Sequence, residues 1–241
     1  MKLHFLILAL NEEKLLEKTY TELKEIISEM QIKDYQIYIN DDGSTDRTFE
    51  IANKIKSENP ENLRIIKHEK NIGPANSIKL FIEQNDEGNL IVISGDNDLK
   101  KDFIMNLIKA SMKVDFVLSF YINREKKGWF RASLSSLFNL ILSTLFNVFA
   151  FYLQGPFVWP LDKVKKLKIN STGIAYVCEI NIKLLHLGLT YKEVPGMMNT
   201  GSEGSTSLKF KNFVDIIRTL FLMFIEIKYK NIFKNKSIRI E

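Results

Sequence analysis

The feature that most limits what this chain can fold into is a rhythm. Up to about residue 120, short apolar runs alternate with amphipathic stretches of helical period, and each of the first four runs is followed by a polar cluster. The pattern predicts strands near 3–10, 35–40, 63–68, 90–94 and 114–119, and helices near 12–30, 46–57, 75–85 and 100–112. Strand and helix in strict alternation make a mostly parallel sheet, because parallel neighbours need a long crossover between them. The fold class expected is therefore α/β.

The polar clusters then acquire meaning. Asn11 and Glu12 follow the first run, Asp41 and Asp42 end the second, Asn71 and Gly73 follow the third, and Asp96 and Asp98 follow the fourth. In a parallel sheet these points share one edge, the carboxyl ends of the strands, where open α/β sheets bind ligands. Alone, "VISGDNDLKK" (92–101) is only the Gly, Asp and Asn chemistry of any strand-to-helix corner. Four such clusters on one edge favour a binding site. A dinucleotide G-x-G-x-x-G after the first strand and a G-x-x-x-x-G-K-[ST] loop are both missing, and Lys100 and Lys101 spoil a calcium loop. Two carboxylates one residue apart can still share a hard cation, Mg2+ or Mn2+, whose other ligands are diphosphate oxygens and water.

Composition narrows the class further. With 241 residues, 45% of them hydrophobic and 26% charged, the chain suits one large α/β domain. Its single cysteine, Cys178, excludes a disulfide framework and points to a reducing compartment. The three histidines, His4, His68 and His186, are too scattered for a histidine metal site. "MKLHFLILAL" opens like a signal peptide, but "NEEK" follows at once, so it reads as a buried first strand. The net charge of +5 comes without any nucleic-acid motif; it fits an anionic membrane surface or phosphorylated ligands.

The segments "LALNEE" (8–13), "INDDGSTDRT" (39–48), "NIGPANS" (71–77) and "SGDNDL" (94–99) resemble the ordered motif set of family 2 glycosyltransferases with the GT-A fold. "GWFRASLS" (128–135), "YLQGPFVW" (152–159) and "YKEVP" with the following "GSTS" (191–207) are similar to the polyprenyl-phosphate sugar synthase branch, such as dolichyl-phosphate mannose synthases. The resemblance implies nucleotide-sugar contacts at Ala9, Asn11, Glu12, Asp41, Asp42, Asp96, Asn97 and Asp98, with the metal at Asp96 and Asp98. It also implies a catalytic role for Asp98 and for Arg131, which matches the family's arginine after Gly-Trp. Three departures stand out: Lys100 where relatives often have Gln, "SFY" (119–121) where many have Ser-Arg-Tyr, and no arginine in "NTGSEGSTS".

Beyond residue 120 the chain changes character. "LSSLFNLILSTLFNVFAFYL" (134–153) carries no charge and nearly has the length of a membrane span, about 20 residues. Ser135, Asn139, Ser143 and Asn147 recur every fourth residue, however, and that polar stripe favours an interfacial or partly core-packed helix. "FVDIIRTLFLMFIEIKYKNIFKNK" (213–236) combines apolar bulk with Asp215, Arg218 and Glu226 and ends in lysines, as a helix lying among headgroups does. Ordinary packing against the sheet, or dimerisation into a homo-oligomer, remains open for it. Arg124, Lys126, Lys127 and Arg131, beside Trp129, are either a solvated basic loop or the receptor for a lipid phosphate.

The reaction expected is inverting transfer of a sugar from a nucleoside-diphosphate sugar to a polyprenyl phosphate, on the cytoplasmic face of a membrane. A phosphate acceptor is already anionic near neutral pH and needs no general base. Transfer to a hydroxyl would need one, and Glu179 is the candidate in that case, with a structural role, capping or pairing on the late helix, as its other reading. The same residues also allow a catalytically silent nucleotide-sugar binder or a nucleotidyltransferase. The expected organisation is a catalytic region over 1–208, with 1–120 as nucleotide-sugar half and 121–208 as acceptor half, followed by an amphipathic helix and basic tail over 209–241.

Overall fold

The computed structural model describes residues 1–123, 128–171, 173, 175–199, 210–229 and 235–241; for Arg131, 210–214 and 229 it describes the backbone alone. Five strands fall where the apolar runs placed them: β1 (Leu3–Ala9), β2 (Tyr35–Asp41), β3 (Leu63–Lys67), β4 (Asn89–Ser94) and β5 (Phe116–Tyr121). Between them lie α1 (Leu16–Glu29), α2 (Thr48–Glu58), α3 (Pro74–Gln84) and α4 (Lys101–Ser111). Then come α5 (Trp129–Phe146), β6 (Val158–Pro160), α6 (Leu161–Val164), α7 (Tyr176–Leu185), β7 (Thr190–Gly196), α8 (Phe210–Phe224) running into a π-helical turn (Ile225–Tyr229), and β8 (Ile238–Arg239).

The strands join one eight-stranded sheet in the order β3-β2-β1-β4-β6-β5-β7-β8. All neighbours are parallel except β6, which runs antiparallel between β4 and β5. β1 pairs with β2 on one side and β4 on the other, so the connections leaving them diverge and open a crevice at their carboxyl ends.

Alternation along the strands builds two cores. Leu3, Phe5, Ile7 and Ala9 of β1 face one layer with α1, α2 and α4, while Leu6 faces the other with α3, α5 and α7. A strand buried on both faces needs an unbroken apolar run, which is what β1 has. α1 shows the matching helical spacing: Leu16, Thr19, Tyr20, Leu23, Ile26 and Ile27 turn inward. Each fully buried Leu, Ile or Phe contributes roughly 1.5–3 kcal/mol. α2 ends at Glu58, with Asn59 following it directly before Pro60, and α3 starts on Pro74 after Gly73 at φ 85°.

Two boundaries differ from the expectation. α1 starts at Leu16, because residues 11–13 are bonded to another loop instead of a helix. The apolar stretch expected as one element over 134–153 divides: α5 runs from Trp129 to Phe146, the chain reverses at Asn147 in the left-handed region (φ 52°), and residues 148–153 return along it. Ser135 and Asn139 of the polar stripe face that return. Asn139 donates through Nδ2 to the carbonyls of Ala150 (2.9 Å) and Phe151 (3.3 Å) and accepts from Leu153 N–H at 2.8 Å, and the Ser135 hydroxyl donates to Tyr152 Oη at 3.0 Å. Among the described residues no helix is long and apolar enough to cross a membrane. The chain's last residues return to the sheet as β8, where Arg239 lies 3.2 Å from Glu193 and over the Phe151 ring.

Candidate functional site

The carboxyl ends of β1, β2 and β4 are tied to one another by backbone. Asp42 N–H donates to the Ala9 carbonyl (2.9 Å), Gly95 N–H to the Leu8 carbonyl (2.8 Å) and His68 N–H to the Asp41 carbonyl (2.9 Å). Ala9, Asp41, Asp42 and the loop holding Asp96, Asn97 and Asp98 therefore do meet at the topological switch.

The loops after β1 and β2 are stitched into a single surface. Asn11, itself left-handed (φ 58°), accepts from Thr45 N–H at 2.8 Å, and its own N–H donates to Ser44 Oγ at 3.0 Å. Glu12 N–H donates to Thr48 Oγ1 (2.7 Å) and Glu13 N–H to Asp46 Oδ2 (3.2 Å). Asp42 reaches the next loop, accepting from Ile72 N–H (2.9 Å) and Gly73 N–H (2.8 Å). Asp41 is fully buried and holds Ser44 N–H through Oδ1 at 3.1 Å. Gly43 sits at φ 75°, and a Cβ there would lie 2.6 Å from the carbonyl carbon of Lys70, so no other residue fits without moving backbone.

Negative charge collects above β4. Burial raises the Glu12 carboxyl to about 7, helped by the charges of Asp96, Asp46 and Asp98. Burial, then the charges of Asp98, Tyr152 and Asp96, push the Tyr121 phenol well above its ordinary value. Asp96 Oδ1 is buried with no hydrogen-bond partner. An orphaned carboxylate oxygen in a field of like charge is the donor set a hard divalent cation requires, so the residues fit one. Among the described residues no three His, Cys, Asp or Glu side chains are grouped to hold a metal ion.

Beyond β5, Trp129 opens α5 and is 76% exposed, with Arg131 two residues on. Arg124, Lys126 and Lys127 lie outside the described residues, as does the Arg131 side chain. Glu179 is placed in the interior: wholly buried on α7, it accepts from Asn170 N–H and Nδ2, Ser171 N–H and Lys183 Nζ, all within 3.0 Å. Both its oxygens are engaged, which leaves nothing to take a substrate's proton.

The sequence reading missed Asn199 and Asn123. Asn199, after β7, bonds the loop that carries Asp96 and Asp98, and Asn123, after β5, bonds Met198. Neither sits in a recognisable motif; each acts on residues more than 70 positions away.

The sequence profile described as Glycosyl transferase family 2 matches residues 5–163. A curated relative, the uncharacterized glycosyltransferase YkcC of Bacillus subtilis (strain 168), is 22% identical over 95% of this chain and 77% of its own length. Mannosyl-3-phosphoglycerate synthase from Rubrobacter xylanophilus superposes with a TM-score of 0.70 at 15% identity, over 95% of this chain and 75% of that one. The mannosyltransferase PcManGT from Pyrobaculum calidifontis, solved with GDP-Man and Mn2+, does so with a TM-score of 0.61 at 14% identity, over 93% and 64%.

Proposed function

The chain belongs to glycosyl transferase family 2 and is a glycosyltransferase of GT-A fold, and from that premise we propose that it transfers a sugar from a nucleoside-diphosphate sugar to a polyprenyl phosphate at the cytoplasmic face of a membrane. One observation carries the acceptor. α5 turns its polar side to the returning chain and leaves Phe130, Leu134, Leu137, Leu140 and Ile141 exposed, with Phe149 and Phe151 exposed on the return. That many large apolar side chains left in the open mark an interaction surface, and Arg124, Lys126, Lys127 and Arg131 lie at its start in the sequence. An apolar face beside cationic residues suits an anionic lipid surface and a lipid-borne phosphate.

In this reading the stitched loops receive the donor. Ala9, Asn11, Glu12 and Asp42 face the nucleoside, and Asp41 acts through the loop it braces. Asp96 and Asp98, with Asn97 between them, are the residues that would hold Mg2+ or Mn2+, which when bound offsets the charge of the diphosphate. Arg131, with Arg124, Lys126 and Lys127, holds the acceptor phosphate in line with the anomeric carbon. The bond from the anomeric carbon to the diphosphate oxygen breaks as a bond to the acceptor phosphate oxygen forms, and the configuration inverts. No proton is moved, because the acceptor oxygen is already anionic. The engaged state of Glu179 supports this over a hydroxyl acceptor, which needs a base. Residues 1–120 would then serve the donor, 121–208 the acceptor, and 209–241 the membrane.

The test is incubation of the purified protein with labelled sugar nucleotides, a polyprenyl phosphate and Mn2+, followed by lipid extraction. Label in the organic phase is expected for one donor. Label confined to water for every donor would remove the lipid acceptor.

A further inference from the structure

The loop that carries Asp96 and Asp98 is not held by its own neighbours in sequence. Its middle residue, Asn97, is in the left-handed region at φ 53°, where the carbonyls of residues 97 to 99 are all bonded by one residue. That residue is Asn199: its Nδ2 donates to the Asn97 carbonyl at 2.8 Å and to the Leu99 carbonyl at 3.2 Å, and its backbone N–H donates to the Asp98 carbonyl at 2.8 Å. A primary amide adds two side-chain N–H groups to the backbone one. The contact extends on either side, since Lys100 N–H donates to the Met197 carbonyl and Leu99 bridges Met198.

Asn199 is itself held. Asn123, just past β5, donates through Nδ2 to the Met198 carbonyl at 3.1 Å and accepts from Met198 N–H at 3.0 Å, and both Asn123 and Met198 are buried. The side-chain amide of Asn123 thereby supplies the pairing that a further residue of strand would give. A rigid run leads from β5 through Asn123, Met198 and Asn199 to the turn between the two aspartates.

We propose that Asn199 is a positioning residue for the metal loop, fixing the turn at Asn97 so that the Asp96 and Asp98 carboxylates are set to share one cation. This rests on the reading above that those two residues hold Mg2+ or Mn2+. The amide touches neither the cation nor the substrate. It acts through the backbone that carries both ligands, so its loss weakens metal binding more than it weakens the fold.

The test uses the full chain and Mn2+ alone, followed by electron paramagnetic resonance of the free ion, with melting recorded in chelator. Asn199→Ala is expected to bind Mn2+ roughly ten- to a hundredfold more weakly, the range for removing a residue that supports a metal ligand. Asn199→Leu, close in volume but without polar atoms, should behave likewise, and Asn199→Gln should recover part of the affinity. In the transferase assay the Mn2+ concentration for half-activation should rise by the same factor, with kcat at saturating Mn2+ less affected. A merely structural role would lower the active fraction and leave half-activation unchanged. Unaltered Mn2+ affinity in Asn199→Ala, or absence of a melting transition in both the Ala and Leu variants, overturns the proposal. If the unsubstituted chain itself takes up no Mn2+, it is the two-aspartate reading that fails.

Discussion

Lys183 Nζ lies 2.7 Å from Glu179 Oε1, with both side chains shut off from solvent, and the same ammonium lies 2.8 Å from Glu226 Oε2. The group joins α7 to the π-helical turn after α8, and Asn170 closes it by donating to both carboxylates. Removing one member of a buried pair strands the other's charge, at a cost of about 3–5 kcal/mol. Lys183→Ala should therefore lower the unfolding free energy by that amount in urea titration. Glu179→Gln should also destabilise, yet leave the pH dependence of turnover unchanged where the protein stays folded. Loss of the acid limb of the rate profile, the fall at low pH that a general base produces, would return Glu179 to the chemistry.

Two buried histidines make stability depend on pH. Burial drives the imidazoles of His4 and His186 below their ordinary 6.5, and the Lys2 charge adds to the effect at His4. Both groups are neutral in either state well above pH 6.5. As the pH falls through 6.5 the unfolded chain takes up protons first, so stability declines until the folded-state values are reached. Glu226 adds to this at lower pH. Burial pushes its carboxyl up, but hydrogen bonds from Lys183 and Asn170 and the Lys183 charge outweigh that and hold it below 4.5. Its contribution is present above the unfolded value and lost as pH falls through the folded one. Urea midpoints should drop from pH 7.5 to pH 5.5. His4→Phe, packed between Tyr38 and Phe81, should flatten part of the slope.

The carboxylate cluster can be probed without metal. Asp96 is the largest charge contribution to the raised Glu12 carboxyl, after burial. Asp96→Asn should move the Glu12 titration down from about 7, though not to 4.5, since burial remains. Carbon-detected NMR of the side-chain carboxyls reads this directly. Transfer activity of Asp98→Ala should fall at least roughly a hundredfold, as when a preset electrostatic stabiliser is removed.

Much of this was legible in the sequence, and the reason is physical. β1 to β5 and α1 to α4 each show one period over their whole length, and a polar cluster at a strand's end must sit at the sheet edge. Asn11, Asp42 and Asp96 were visible on that ground. What was not legible depends on distant partners. The Ser135, Asn139 stripe pointed to an interfacial or partly core-packed helix but not to its partner, because nothing nearby in sequence says that residues 150–153 come back to bond it. Asn199 was hidden for the same reason, acting on carbonyls 100 and 102 positions away. Glu179, by contrast, looked available because its saturating donors, Asn170 and Ser171, come from the coil before α7.

Gly43 tests whether the stitched loops are one unit. At φ 75°, with backbone of Lys70 and Asn71 within 2.8 Å of any added Cβ, Gly43→Ala must push the loop after β2 away from the loop after β3. Strain of this kind costs on the order of 1–3 kcal/mol. Because Asp42 holds Ile72 and Gly73 across that gap, the displacement should fall on the proposed nucleoside site. Calorimetry should find donor-nucleotide affinity reduced with Mn2+ affinity nearly intact. Equal loss of both would mean the loops after β2 and β4 move together.

The apolar face of α5 yields the sharpest test of where the enzyme works. Leu137 and Leu140 are both more than half exposed, so Leu137→Glu with Leu140→Glu removes no core contact and should leave the melting temperature within a few degrees. If the face enters a bilayer, each leucine contributes roughly 1.5–3 kcal/mol on burial. Losing two should reduce partitioning onto vesicles of anionic phospholipid by at least about a hundredfold. Transfer from a sugar nucleotide to a long-chain polyprenyl phosphate in those vesicles should fall in parallel, while transfer to a short-chain, water-soluble analogue is kept. If instead the double variant binds vesicles as the parent does and changes from dimer to monomer in sedimentation, the face is a contact between two copies of the chain, and the proposed membrane role of α5 falls.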